Sequence, residues 1–235
     1  SEAVLAYDGR DYTKALELLE GLLARKPGLP EFLELRALVF KLKGDRARAT
    51  GAYEELLRAK AAARVPEAEL APYRFELGQL AFEGSQFGVA LGHYEASIRA
   101  GFNPAASWFF LGMARLKLED RMGAEDAFLE VLRSGTEELK PSARLYLGQL
   151  AYQRGQSGEG AENFLQAQAL SRAQLTAAET TAETRKIAER ILAASSAALE
   201  PLDRPNLFGN LELSSGYDSN VLSVPEGQTE INATG

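Results

Sequence analysis

A five-fold internal repeat constrains this chain more than any other feature. A small residue is followed four positions later by a ring or leucine, and three later by another apolar or small residue. The sets are Ala15/Leu19/Leu22, Ala49/Tyr53/Leu56, Ala90/Tyr94/Ser97, Ala124/Phe128/Val131 and Gly160/Phe164/Ala167, and their first members are 34, 41, 34 and 36 residues apart. A second series, Ala3, Ala37, Gly78, Gly112 and Gly148, runs twelve residues upstream with the same intervals. A period in this range means stacked supersecondary units, none of which can bury its apolar face alone.

Each unit reads as two helices, because spacings of three and four place the marked residues on one helical stripe. Gly- or Asp-containing clusters separate the stripes: Asp8-Gly9-Arg10-Asp11, Gly44-Asp45, Glu83-Gly84-Ser85, Glu119-Asp120 and Arg154-Gly155-Gln156-Ser157-Gly158. The small residue of each first helix lets the second helix approach closely. The ring of each second helix then fills the space toward the next pair. Pro27, Pro104 and Pro141 fall at the boundaries between units, where a helix-stopping residue belongs.

These marks resemble the tetratricopeptide repeat. Trp108-x-x-Leu111-Gly112, then Ala124, Phe128 and a following Pro141, form the strongest unit; Leu77-Gly78 and Leu147-Gly148 open two others, and the likeness covers roughly residues 1–170. The 41-residue interval departs from the family period and predicts an insertion around Ala61–Ala71, as an extended helix end and a loop at Val65-Pro66. A sixth first helix is expected over Thr184–Leu199, with Ile187, Ala188 and Ile191 on one face, as the solvating cap that solenoids need. The resemblance implies an all-α, right-handed superhelical solenoid of about five helix pairs plus a capping helix. The expected division is a solenoid over 1–200 and a tail over 201–235.

The tail has a different character. After Pro201 and Pro205 the pattern changes to period two: Leu207, Gly209, Leu211, Leu213, Ser215 and Tyr217 alternate with Asn206, Phe208, Asn210, Glu212, Ser214 and Gly216. This predicts a short β-strand, with Leu207, Leu211, Leu213 and Tyr217 as the residues that would carry strand pairing on the apolar face. Its length suits one tilted crossing of an outer membrane. The segment resembles the first strand of bacterial outer-membrane β-barrel proteins that carry a periplasmic tetratricopeptide domain, such as exopolysaccharide-export porins and surface-lipoprotein assembly proteins. A lone strand is not stable unpaired, so the sequence reads as a portion of a longer protein.

Composition narrows the chemistry. The chain has 235 residues, 46% hydrophobic and 25% charged, enough apolar material for a sizeable core. With 26 basic and 33 acidic residues the formal charge is −7, which disfavours nucleic acid as a partner. The tail carries five acids and one base, a net −4, so the first 200 residues carry −3. Zero cysteines exclude disulfides, thiolate metal sites and cysteine nucleophiles, and one histidine excludes a His cluster. His93 reads as a solvated or lightly packed side chain. Glu54/Glu55 and Glu137/Glu138 read as solvated helix faces, and Gly84-Ser85 and Gly155–Gly158 as turns without a phosphate-loop Lys-Ser/Thr. Asp218-Ser219-Asn220 falls short of a calcium ligand set. No catalytic residue, cofactor or metal is expected.

In the resembled family the first helices line a concave groove. Counted from the small-residue series, that groove would be lined by Glu31, Glu34, Leu38, Lys41, Phe75, Gln79, Phe82, Phe109, Met113, Leu116, Leu145, Gln149 and Tyr152. Glu31 and Glu34 mark an acidic opening, and Phe75, Phe82, Phe109, Met113 and Tyr152 are the expected apolar anchors. The Lys, Asn and Arg of a carboxylate clamp are replaced here by Phe, Gln, Met and Leu. The expected function is a protein-interaction scaffold that takes a protein or peptide segment in this groove, at the periplasmic face of a bacterial outer membrane, in export or surface assembly. The alternative is a free-standing adaptor, cytoplasmic or periplasmic, whose terminal strand adds to a partner's sheet edge.

Overall fold

In the computed structural model, residues 1–134, 136–178 and 180–200 are described, and among them every regular element is a helix. In chain order these are α1 (Glu2–Asp8), α2 (Tyr12–Arg25), α3 (Pro30–Leu42), α4 (Arg46–Ala62), α5 (Glu67–Glu83), α6 (Phe87–Arg99), α7 (Pro104–Lys117), α8 (Arg121–Arg133), α9 (Lys140–Gln153), α10 (Ser157–Thr176) and α11 (Ala182–Leu199). The expected strand Leu207–Tyr217 lies outside the described residues. The helices fall into two compact units, α1–α8 in the first and α9–α11 in the second. The first pairs α1 with α2, α3 with α4, α5 with α6 and α7 with α8; the second packs α9 against α10 and α10 against α11.

The two sequence series meet in three of the pairs. A Cβ built on Gly78 would lie 2.7 Å from Cε1 of Tyr94, one on Gly112 2.8 Å from Cε1 of Phe128, and one on Gly148 2.6 Å from Cε1 of Phe164. In these pairs the ring of the second helix therefore lies on the bare backbone of the first. It also reaches onward, as expected: Tyr94 stacks on Phe110 of the next pair with centroids 5.8 Å apart.

The turn inside each pair is equally regular. Arg10, Gly44, Ser85, Glu119 and Gly155 all have φ between 57° and 80°, and each stands seven residues beyond its small residue. This left-handed residue ends the first helix. The next N–H then donates back across the turn: Asp11 to the Ala6 carbonyl at 2.8 Å, Asp45 to Phe40 at 3.0 Å, Gln86 to Ala81 at 2.8 Å, Asp120 to Arg115 at 2.9 Å and Gln156 to Ala151 at 2.9 Å. In three pairs the same residue starts the second helix. The carboxylates of Asp11, Asp45 and Asp120 accept from the backbone N–H of Lys14, Arg48 and Gly123 at 3.0–3.1 Å, satisfying donors that a helix start leaves open.

The insertion is taken up by helix. α4 runs on to Ala62, Arg64 turns the chain with φ 58°, and Pro66 caps α5. The loop at Val65-Pro66 is thus as expected, but the last part of the insertion, from Glu67, is the first turn of α5. Pro72 inside α5 cannot donate to the Ala68 carbonyl, one missing bond that the rest of the helix outweighs. The expected sixth first helix is α11; it begins two residues earlier, at Ala182, where the Thr181 hydroxyl accepts from the Thr184 N–H at 3.1 Å. Its buried stripe is Ala188, Ile191, Ser195 and Ala198, with Ile187 at its edge.

Candidate functional site

The expected groove residues separate into two groups by burial. In the first unit, Glu34, Leu38 and Lys41 of α3, Phe82 of α5 and Leu116 of α7 are half-buried, and Glu31 is exposed. Phe75, Gln79, Phe109 and Met113 are instead buried, at 1%, 6%, 0% and 3% exposure. This corrects the expected place of all four in an open groove, and of Phe75, Phe109 and Met113 as open anchors. The physical reason is the density of rings around them. Phe75 has Tyr94, Phe102 and Phe110 at centroid distances of 5.9, 6.0 and 6.1 Å, and Phe109 has Phe110 and Phe128 both at 5.7 Å. Edge-to-face and tilted contacts of this kind are core packing. Gln79 is held in the same interior, where the Tyr94 hydroxyl donates to its Oε1 at 3.4 Å. Phe82 sits at the margin of this cluster, against Phe87 at 5.3 Å and Phe110 at 6.2 Å, and keeps part of its ring accessible.

The polar part of the face was only half legible in the sequence. Lys41, expected in the groove, pairs through its Nζ with Glu76 Oε2 of α5 at 2.6 Å, with the two side chains only 26% and 21% exposed. Beside it, Tyr73 of α5 faces Glu34 of α3. Burial and the Glu34 carboxylate push the Tyr73 hydroxyl above the ordinary tyrosine range. The Tyr73 ring lies 6.5 Å from Tyr53 and 5.1 Å from the Lys60 Nζ. Arg74, next in sequence, is turned away into a two-pronged contact with Glu67, at 3.0 and 2.9 Å. Tyr73 and Glu76 escaped the sequence reading because they precede Gly78 by five and two residues, next to the insertion that blurs the repeat count.

In the second unit Leu145, Gln149 and Tyr152 of α9 are half-buried. Several interior polar groups there pair with one another: Arg144 donates to Asn163 Oδ1 at 2.9 Å, Asn163 to the Glu159 carbonyl at 3.0 Å, and Gln168 to the Ser196 hydroxyl at 3.0 Å, while the buried Ser171 hydroxyl has no hydrogen-bond partner among the described residues. Such contacts specify packing and supply no reactive group.

His93 on α6 is half-buried, which fits the lightly packed side chain expected. Burial lowers its pKa, Arg74 adds to this, and Glu54 opposes it. Among the described residues no cluster of His, Asp and Glu could hold a metal ion, and no helix is long and apolar enough to cross a membrane. Asp218-Ser219-Asn220, Leu207, Leu211, Leu213 and Tyr217 lie outside the described residues.

Residues 110–174 match the tetratricopeptide repeat family. No curated protein matches the chain. Among solved structures, the chain resembles MamA from Desulfovibrio magneticus RS-1 at 20% identity and a TM-score of 0.62, over 73% of this chain and 92% of that one. It resembles YrrB, described as a tetratricopeptide-repeat protein with an unusual peptide-binding site, at 16% identity and a TM-score of 0.60, over 80% and 88%. It also resembles Pseudomonas aeruginosa PilF at 15% identity and a TM-score of 0.56, over 87% and 90%. At these identities the likeness establishes the tetratricopeptide-type helical fold.

Proposed function

We propose that this chain is a protein-interaction scaffold, the periplasmic repeat portion of an outer-membrane barrel protein that serves export or surface assembly. The observation that carries the scaffold reading is the first-helix face of the first unit. Glu34, Leu38, Lys41, Phe82 and Leu116 come from three successive first helices and stay half-exposed, beside a tightly packed aromatic core. A surface of mixed apolar and charged side chains, with no metal-binding cluster among the described residues, suits capture of a peptide or helical segment. The likeness to YrrB, described as having a peptide-binding site, supports that reading.

The membrane part rests on the sequence of the tail, where Leu207, Leu211, Leu213 and Tyr217 would face lipid and Asn210, Glu212 and Ser214 a lumen. The test uses the complete gene product in bacterial cells. Photo-crosslinking residues placed at positions 38 and 82 should give one discrete adduct, and the exposed second-helix position 54 none. Membrane fractionation of the same cells should release the protein when Leu211→Asp is introduced, because a charge facing hydrocarbon is costly. Adducts at all three positions alike, or at none, would remove the scaffold reading. Unchanged membrane association of Leu211→Asp would remove the barrel and leave a soluble adaptor.

A further inference from the structure

The charges on the first-helix face are unequally satisfied, and the imbalance points to the chemistry of the partner. Lys41 is committed to Glu76 at 2.6 Å. Arg74 is committed to Glu67, and Arg36 of α3 to Glu55 of α4. Lys60 stands over the Tyr73 ring. Among the described residues no cation pairs with Glu34, although its side chain is half-buried on α3 and lies beside a phenol. One turn along the same helix, Leu38 is also half-exposed. The carboxylate, the polar edge of Tyr73 and the leucine thus form one small surface: an anionic acceptor with an apolar neighbour.

Resting on the scaffold reading above, we propose that this surface receives a basic side chain of the partner segment, a Lys or Arg whose cation meets Glu34 beside Tyr73 while an adjacent apolar residue lies on Leu38. Charge complementarity carries the assignment. A carboxylate or phosphate on the partner would meet Glu34 with like charge, and the cation best placed to receive it, Lys41, is already neutralised by Glu76. A basic side chain gains a charge-assisted hydrogen bond to Glu34 without breaking an existing pair. Its aliphatic stem also covers apolar surface as the head reaches the carboxylate. Such complementarity acts on specificity and encounter more than on bulk affinity.

The experiment pans a phage library of random dodecapeptides against the immobilised chain. It then measures synthetic copies of the recovered peptides against the wild type, Glu34→Gln, Glu34→Asp and, as an outer-surface control, Glu54→Gln. The expected result is recovery of peptides with a Lys or Arg next to an apolar residue. These should bind Glu34→Gln about tenfold or more weakly, regain most of that affinity with Glu34→Asp, and bind Glu54→Gln as they bind the wild type. Helical circular dichroism confirms that each variant is folded. Peptides without a basic preference, or with equal affinity for Glu34→Gln, overturn this inference and leave the scaffold reading standing. An equal loss on Glu54→Gln also overturns it, because the attraction is then to net negative charge. Recovery of no peptide overturns both.

Discussion

Gly112 and Phe128 touch face to edge across the α7–α8 pair: a Cβ on Gly112 would stand 2.8 Å from Cε1 of the ring, 3.0 Å from Cζ and 3.1 Å from Cδ1. The ring is fully buried, so it has nowhere to withdraw. A methyl at 112 must therefore separate the two helices or twist the ring off its rotamer, and a leucine must do both.

Gly112→Leu is accordingly expected to destabilise the chain by about 1–3 kcal/mol or more, the usual cost of overpacking a core. Thermal unfolding followed by circular dichroism measures it. Gly88→Ala on α6, where an added Cβ meets nothing within 4 Å, is the control and should match or slightly exceed the wild type. A Gly112→Leu midpoint equal to wild type would show that this crossing is not as close as described.

The turn residues give a second, opposite pair of outcomes. Gly44 and Gly155 hold φ of 71° and 80°, so Gly44→Ala or Gly155→Ala forces a side chain into the left-handed region and should cost about 1 kcal/mol. Glu119 already occupies that region at 63°, so Glu119→Gly should stabilise by a few tenths to about 1 kcal/mol. Urea midpoints at constant m-value distinguish the two directions.

The Lys41–Glu76 pair is only partly withdrawn from water, which limits its worth to about 0.5–1 kcal/mol even at good geometry. A double-mutant cycle of Lys41→Met and Glu76→Gln should give a coupling of that size. It should shrink as salt rises, though less steeply than for fully exposed charges.

Asp45 ties stability to pH. The Arg48 backbone N–H that it caps holds its carboxyl below the ordinary value of 3.8; burial opposes this, and the Arg48 guanidinium and Lys43 add to the lowering. A folded pKa below the unfolded one means stability that is fully present above the ordinary carboxylate range. It is lost as pH falls through that range to the depressed folded value. Asp45→Asn keeps a capping oxygen but has no proton to take up. It should therefore flatten the decline in unfolding midpoint below pH 4 while changing the midpoint at pH 7 much less than Asp45→Ala does.

Much of this was readable in residue order. The helix pairs, their register, the separating turns, the longer spacing around Val65-Pro66 and the added helix α11 follow from the spacings of three and four that a helix imposes and from the period at which they recur. The burial of the expected groove residues was less readable. Counting from the small-residue series places Glu34, Leu38, Lys41, Phe82 and Leu116 at the surface, where they are half-buried. It also assigns Phe75, Phe109 and Met113 to the surface, where the structure buries them.

A repeat count fixes the angle of a side chain about its own helix axis, so the sequence by itself determined which helices pair, where a small residue must meet the second helix, and where the chain must turn. How deep a side chain at that angle lies depends on the bulk of residues from other helices. Phe102 of the α6–α7 connection and Phe110 of α7 lie against Phe75 of α5, and Phe128 of α8 lies against Phe109 of α7, and no spacing along one helix encodes that. The same holds for charge. Lys41 and Glu76 stand 35 residues apart, so only tertiary packing could decide that Lys41 is matched, and that Glu34, one helix face away, is left without a cation among the described residues.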